Sequence, residues 1–473
     1  MHDIVGISRY RRDMVLRFSC LLAITSVGLL LRLISINDWA LWSDEALTLI
    51  LVQWPLKTLF LAPIDPTPGL YYALHKVLLG PFVGVAAARS ISVVAGVLLI
   101  PASYFLARKA EVPALLTAGL IALSFPLIDY SQEARAYSLL VLLVTLSAGF
   151  FLWWARSGRL SLLGASLALG MLAFYTHFVA VFWVGPLALA ALWTAKRRAV
   201  PLLLAMAIVA VPEVSRLAHY DQPGFSWLIQ ASPQQAADTL AQAVLPFQPA
   251  GIAALAVALM LSWRLWVHRS ALAKWARMNP AAAVIALIFV TIPLATWLFG
   301  FALKPVFMPR TILIAIPGFM LSLALLSSFE HRLVQVAVIG LYAASLTVTG
   351  TMRPREDWHA LAQRVGLDTV LMCKSRQGPA MKHVLGPNSR VLLLYGDSLL
   401  KVEERPWQLA YFDVLTNGEA RHRAARRGQE VAGSHYPVWA IKSGFPGTFV
   451  ARPTTLDQAI QSCKIDSADH APS

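Results

Sequence analysis

Asp38-Trp39-Ala40-Leu41-Trp42-Ser43-Asp44-Glu45-Ala46 follows directly on the first long apolar run of the chain, and its reading decides the fold. Two adjacent carboxylates, Asp44 and Glu45, stand where that run would leave a bilayer, with Trp39 and Trp42 just before them. Tryptophan prefers the membrane–water boundary. Ionisable groups held close to hydrocarbon are costly and usually functional. A plainer reading stands beside this one: Ser43 N-caps a helix, and Asp44 and Glu45 complement the helix dipole from its first turn. Capping and chemistry are compatible.

Working outward, the composition supports a bilayer. The chain has 473 residues, 57% hydrophobic and 14% charged, with a mean hydropathy of +0.61. A soluble chain carries about 25% charged residues, so this is a polytopic α-helical membrane protein with some soluble mass attached. The formal charge of +15 does not mark a nucleic-acid partner. The basic residues sit in short loops between apolar runs, which is the positive-inside pattern rather than a basic face. The three cysteines show no metal-type CxxC spacing. The first apolar run is too long for a cleaved signal, and no small-residue cleavage site precedes the acidic loop.

Residues Met1 to Asp13 are basic and are expected in the cytoplasm; the first span runs from about Met14 to Ile36. The loop over residues 37–89 is expected outside. Its apolar pieces Leu56–Leu61 and Leu70–Leu79 read as interfacial or half-inserted helices, separated by Pro63, Pro66, Pro68 and Gly69. Further spans are expected at Ser90–Ala107, Pro113–Leu127, Ala136–Trp154, Leu160–Tyr175, Phe178–Thr194, Val200–Val214, Gly251–Val267, Ala281–Leu303, Thr311–Phe329 and Leu333–Gly350. That makes about eleven transmembrane helices. Every loop placed inside is basic, from Arg108 and Lys109 to Arg332. This fixes the expected orientation: a multi-pass membrane protein with a cytoplasmic N-terminus and a C-terminus outside.

Residues 1–350 therefore read as the transmembrane domain and 351–473 as a second one. In the tail the long apolar runs stop. Short β-like runs at Thr369–Met372, Val391–Tyr395 and Val438–Ile441 alternate with helical stretches such as Asp357–Val365. This suggests a small extracytoplasmic α/β domain. Cys373 and Cys463 could pair in an oxidising compartment or remain buried thiols, and spacing leaves both open.

The segments expected outside gather chemistry. The first loop carries Asp44, Glu45 and Asp65. The second reads Asp129-Tyr130-Ser131-Gln132-Glu133-Ala134-Arg135-Ala136-Tyr137. His177 ends the fifth span, and Lys304 and Arg310 flank the start of the tenth. Cations should be thinned there, yet Arg89, Arg135, Arg216, Lys304 and Arg310 all sit at span ends. Each could simply snorkel or pair with a neighbouring acid. As a set they suit an anionic partner at the membrane surface, since the arginine fork matches phosphate. A carboxylate remains for acid–base work. His177 reads first as a polar interface residue; beside carboxylates such as Asp65 it could complete a divalent metal site.

These residues resemble the GT-C glycosyltransferases. Nearest is the bacterial branch related to protein O-mannosyltransferases (glycosyltransferase family 39-like) and to the aminoarabinose transferase acting on lipid A. The resemblance rests on Leu41-Trp42-Ser43-Asp44-Glu45-Ala46, Pro68-Gly69-Leu70-Tyr71-Tyr72 and Tyr130 to Tyr137. It also rests on Tyr175-Thr176-His177-Phe178, Pro305 to Arg310 with Pro317-Gly318, and Arg355-Glu356-Asp357-Trp358. It covers roughly residues 14–370. Thr311 stands where relatives often have tyrosine, and Asp65-Pro66-Thr67-Pro68 replaces their His-Pro-Pro or Glu-Lys-Pro type of sequence.

The resemblance implies an integral-membrane transferase that moves a sugar from a polyprenyl-phosphate donor to a lipid, glycan or protein acceptor on the outer face, among membrane lipids. Asp44 would be the general base and Glu45 its assistant. Arg135, Lys304 and Arg310 would hold the departing phosphate, with Glu133, Tyr71, Tyr72 and Arg89 lining the substrate. Asp65 and His177 would ligate any metal. Direct displacement implies inversion. Two rivals remain: a non-catalytic membrane scaffold or assembly subunit, and a secondary transporter. The second would place ionisable groups near the midplane, often in two related halves.

Overall fold

The computed structural model describes residues 2–38, 41–61, 67–80, 83–219, 230–244, 252–303 and 305–349, and in the tail 363, 369–372, 391–395, 398–401, 438–444, 448–450, 453–455, 458 and 460. Two compact units emerge. The first comprises Met1–Ile34, Leu56–Tyr71 and Arg89–Met352; the second comprises Ser35–Pro55, Tyr72–Ala88 and Arg353–Ser473.

The first unit is helical. Its elements are α1 (His2–Leu33), α3 (Leu56–Leu61), α5 (Val85–Ala110), α6 (Ala114–Leu123), α7 (Phe125–Ser131), α8 (Tyr137–Ser157), α9 (Leu160–Thr176), α10 (Val181–Ala195), α11 (Val200–Ala218), α12 (Pro233–Val244), α13 (Ile252–Val267), α14 (Arg269–Met278), α15 (Pro280–Ala302), α16 (Ile316–Ser327) and α17 (Arg332–Thr349). The core forms where α8 packs on α9, α9 on α10, α10 on α15, and α15 on α16. Trp183 of α10 is fully buried against Phe289 of α15, their rings 4.9 Å apart. Ser147 and Ser166 exchange hydroxyl-to-carbonyl bonds of 2.8 Å between α8 and α9, and the Trp183 Nε1–H donates to Ser147 Oγ at 3.0 Å. Buried polar groups thus find partners across helices, as a span without water requires. Gly158 ends α8 at φ +70 and donates to the Trp154 carbonyl, a left-handed cap that suits glycine.

Among the described residues six helices are long and apolar enough to cross a membrane: Asp13–Leu33, Val85–Ala110, Tyr137–Ser157, Phe178–Arg198, Val200–Ala218 and Pro280–Ala302. Large apolar side chains on several of them face outward, among them Phe18, Leu189, Trp193 and Ile208. Such surfaces suit hydrocarbon. The sequence led us to expect about eleven spans; length and composition support six, or seven if α6 and α7 form one. Leu160–Thr176, Ile312–Ser327 and Arg332–Thr347 are apolar but shorter. Seventeen residues of helix reach only about 25 Å, against a hydrocarbon core of about 30 Å.

The expected straight span Pro113–Leu127 is broken. α6 and α7 meet at Ser124 with a bend of 59°, and Ser124 itself is extended at φ −67, ψ 111. Pro126 explains the break. It has no N–H to offer the Ala122 carbonyl four residues back, and its ring would clash there.

In the second unit, α2 (Ser43–Leu51) is followed in sequence by α4 (Leu70–Leu78), most of which belongs to the same unit. The Lys76 ammonium donates to the carbonyls of Val52 (3.0 Å) and Gln53 (3.3 Å), satisfying the end of α2. Strands β1 (Thr369–Met372), β2 (Val391–Tyr395), β3 (Ser398–Lys401), β4 (Val438–Gly444), β5 (Thr448–Val450) and β6 (Pro453–Thr454) form one sheet, ordered β3-β2-β1-β4-β5 with β6 also on β4. β1 is parallel to β2 and β4, while β3, β5 and β6 pair antiparallel. The three runs read as β-like in the sequence are β1, β2 and β4. Val370, Leu371, Val391 and Leu392 are fully buried. Such continuous apolar runs are what interior parallel strands need. Most of Asp357–Val365, and both Cys373 and Cys463, lie outside the described residues.

Candidate functional site

Within the first unit the chain between α7 and α8 carries the Gln132-Glu133-Ala134-Arg135 run. Two tight bonds shape it: Gln132 N to Asp129 O at 3.0 Å, and Arg135 N to Glu133 O at 2.8 Å. Asp129, Glu133 and Arg135 are each only 6% exposed. Ser92 of α5 holds the far side of this turn, donating to the Arg135 carbonyl at 2.9 Å, and the Tyr71 hydroxyl lies 2.9 Å from Ser92 Oγ. The Arg135 guanidinium donates to Thr67 Oγ1 at 3.4 Å.

His177 closes the group. It ends α9 in an extended conformation, and its Nδ1 accepts the Val179 N–H at 3.2 Å, capping the short helix Phe178–Ala180. Its ring lies 5.3 Å from Tyr137 and 4.7 Å from Phe178, and Tyr137 in turn meets Tyr130 at 5.4 Å. Burial, followed by the charges of Arg135 and Arg310, pushes the His177 imidazole down to about 3. His177 is therefore neutral at physiological pH, held so first by burial and then by the charges of two arginines. Arg310 is part-buried on the turn before residues 312–315, its Nε 2.9 Å from Met308 Sδ. An anion is the natural complement to such a pair.

The same geometry bears on a metal. With Nδ1 accepting a backbone proton, the neutral imidazole carries its own proton on Nε2, which leaves no lone pair there for a cation. Two nearby arginines oppose one further. Among the described residues no cluster of three or more His, Cys, Asp or Glu side chains could hold a metal ion. His177 does not fit a ligand role as it stands. Asp65, its expected partner, lies outside the described residues, as does Lys304.

The remaining expected residues are placed as follows. Tyr71 and Arg89 are fully buried in the first unit. Tyr72, 2% exposed, belongs to the second, together with α2. On α2 the N-cap is Trp42, so Ser43 is the first helical residue rather than the cap. Glu45, at the third position, is fully buried, and its Oε2 accepts the Trp42 N–H at 3.3 Å. Asp44 stays part-exposed on the same first turn. The two acids thus differ in burial: Glu45 closes the helix start out of solvent, and Asp44 keeps part of its exposure.

Solved structures share this arrangement of helices. ArnT from Cupriavidus metallidurans in the apo state superposes with a TM-score of 0.51 at 16% identity, over 78% of this chain and 72% of that one. ArnT from the same organism bound to undecaprenyl phosphate gives 0.50 at 16%, over 77% and 72%. The protein has a GT-C-like fold. A weaker likeness, TM-score 0.49 at 13% identity over 93% and 74%, is to the apo oligosaccharyltransferase of Archaeoglobus fulgidus. No protein-family model and no curated protein matches the chain. At this identity the GT-C likeness concerns the fold; the residues have to speak for the site themselves.

Three contributors to this site lay beyond the sequence reading. Ser92 and Thr67 carry no signal a single sequence could expose. Arg32 did: an arginine inside an apolar run is costly enough to ask what it meets.

Proposed function

We propose that this protein is a membrane glycosyltransferase that takes a sugar from a polyprenyl-phosphate donor and passes it to a cell-envelope acceptor on the outer face. The observation that carries this reading is the buried Arg135 on the turn before α8, whose charge, with that of Arg310, acts on the buried, neutral His177 in a GT-C-like fold. Such a cationic site suits a phosphate that gains charge as the glycosidic bond breaks. ArnT, of the same fold, has been seen with undecaprenyl phosphate bound. A donor tethered to lipid also suits a reaction at the membrane surface, where nucleotide sugars made inside the cell do not reach.

In this mechanism Arg135 and Arg310 hold the departing phosphate, with Lys304 as a third cation. Asp44 takes the proton of the acceptor hydroxyl as that oxygen attacks the anomeric carbon. The C–O bond to phosphate breaks on the opposite side, so the configuration inverts. Glu45 supports Asp44 by fixing the first turn of α2. Tyr71, Tyr72, Arg89 and Glu133 shape the substrate site. No step runs through a metal.

The test is transfer by the purified protein in lipid nanodiscs, supplied with a panel of polyprenyl-phosphate sugars and envelope extract, with and without chelator. Release of polyprenyl phosphate by wild type and not by Asp44→Asn supports the reading and names the donor. No release from any donor would bring the scaffold reading forward, and movement of intact donor across the bilayer would favour a transporter.

A further inference from the structure

The break at Ser124 leaves polar backbone in an apolar setting. Pro126 deprives the Ala122 carbonyl of its helical partner, and the last carbonyls of any helix lack one by construction. The fully buried Arg32 side chain, in the last turn of α1, answers this. Its Nη1 donates to Ala122 O at 3.3 Å and to Gly28 O at 2.9 Å. Its Nη2 donates to Ile121 O at 3.4 Å, and its Nε to Ser131 Oγ at 3.3 Å. Among the described residues no carboxylate pairs with it. The partial negative charge of the last-turn carbonyls of α6, Ile121 and Ala122, meets the guanidinium instead.

The contact is reciprocal. Gln132, just past the end of α7, sends its Nε2 back to α1, 2.6 Å from Ile34 O, 3.3 Å from Arg32 O and 3.4 Å from Leu31 O. So α1 caps α6, and the residue beside Glu133 caps α1. Space for this is made by Gly96 of α5, where a Cβ would collide with Ser131 and press on the Arg32 Nε.

We infer that Arg32 is a positioning residue: with Gln132 it clamps the broken helix and sets the place of the Glu133–Arg135 turn. As a role in transfer this rests on the proposed function; as a clamp it does not. The test compares wild type, Arg32→Met, Arg32→Lys and Gln132→Leu in nanodiscs by amide hydrogen exchange and by binding of undecaprenyl phosphate. The expected result for Arg32→Met is at least tenfold faster exchange over residues 121–137, with 160–176 unchanged, and at least fivefold weaker binding. Arg32→Lys should recover part of both, because one ammonium can serve some but not all of the carbonyls. If Arg32→Met does not fold, Arg32→Lys and Gln132→Leu must still quicken exchange over 121–137. Unchanged exchange in the folded variants would overturn the clamp. Faster exchange with unchanged binding would overturn the positioning role. A wild type that binds no undecaprenyl phosphate would overturn the transferase reading and that role together, while exchange would still judge the clamp.

Discussion

Glu213 and Arg216, one helical turn apart on α11, form a doubly bonded ion pair out of solvent: Nη2 to Oε1 at 2.6 Å and Nε to Oε2 at 2.9 Å, with side chains 0% and 2% exposed. In the sequence Arg216 had stood with the cations offered to an anionic partner; in the structure its fork is engaged by a neighbouring acid. Breaking a buried pair strands a charge and typically costs about 3–5 kcal/mol. Glu213→Leu or Arg216→Met should therefore each lower the melting temperature markedly in detergent or lipid. The double variant should recover most of the loss, because two apolar side chains strand nothing. Additive losses would contradict the pair.

The adjacent acids of α2 should separate by variant. Glu45→Ala removes the acceptor for the Trp42 N–H, and loss of such a cap costs about 0.5–2 kcal/mol. Asp44→Asn should leave melting close to wild type and abolish polyprenyl-phosphate release. Measuring both properties in both variants decides whether the roles are divided this way; an active Asp44→Asn would remove Asp44 from the chemistry.

His177 predicts a pH dependence. Its folded value is about 3 against an ordinary 6.5. Below pH 6.5 the unfolded chain takes up a proton that the folded one refuses, so stability falls as pH drops. The slope is at most about 1.4 kcal/mol per pH unit, and it ends near pH 3, where the folded ring also protonates. His177→Gln should flatten melting temperature against pH across that window. Arg135→Gln should raise the folded value and shorten the window from its acid end. Histidine NMR on labelled protein checks the titration directly.

A fourth expectation concerns packing. A Cβ at Gly318 would run into the Cβ and Cγ of Phe289, the base of a side chain rather than its mobile end. Gly318→Ala should destabilise by about 1–3 kcal/mol through overpacking. Adding Phe289→Leu should recover little of it, because leucine keeps the Cβ and Cγ that the new methyl meets, and Phe289→Leu alone serves as the control. A thermal melt of the three variants is sufficient.

Much of the fold was legible because hydropathy is a local property. The apolar runs that became α5, α8, α10, α11 and α15 show themselves over about twenty residues each. The three β-like runs of the tail are strands where expected. The broken helix was missed although Pro126 stood in plain sight, because window averaging over Pro113–Leu127 hides one proline among apolar neighbours. In the candidate site, Arg135, Glu133, His177 and Arg310 were marked by being charged or polar at span ends. What could not be seen was which of them meet.

By itself, then, the sequence determined that the chain is a helical membrane protein, where most helices lie, and which polar residues cannot be idle there. Composition and periodicity act within a turn or a span, so a single chain displays them. Only the tertiary structure decided the partners. It brought Arg32 to a carbonyl 90 residues away, gave Arg216 to Glu213 rather than to a ligand, and set His177 in the field of Arg135 and Arg310. Partnership between charges depends on distance and burial, and in a folded chain both are set by helices that pack together from far apart in sequence.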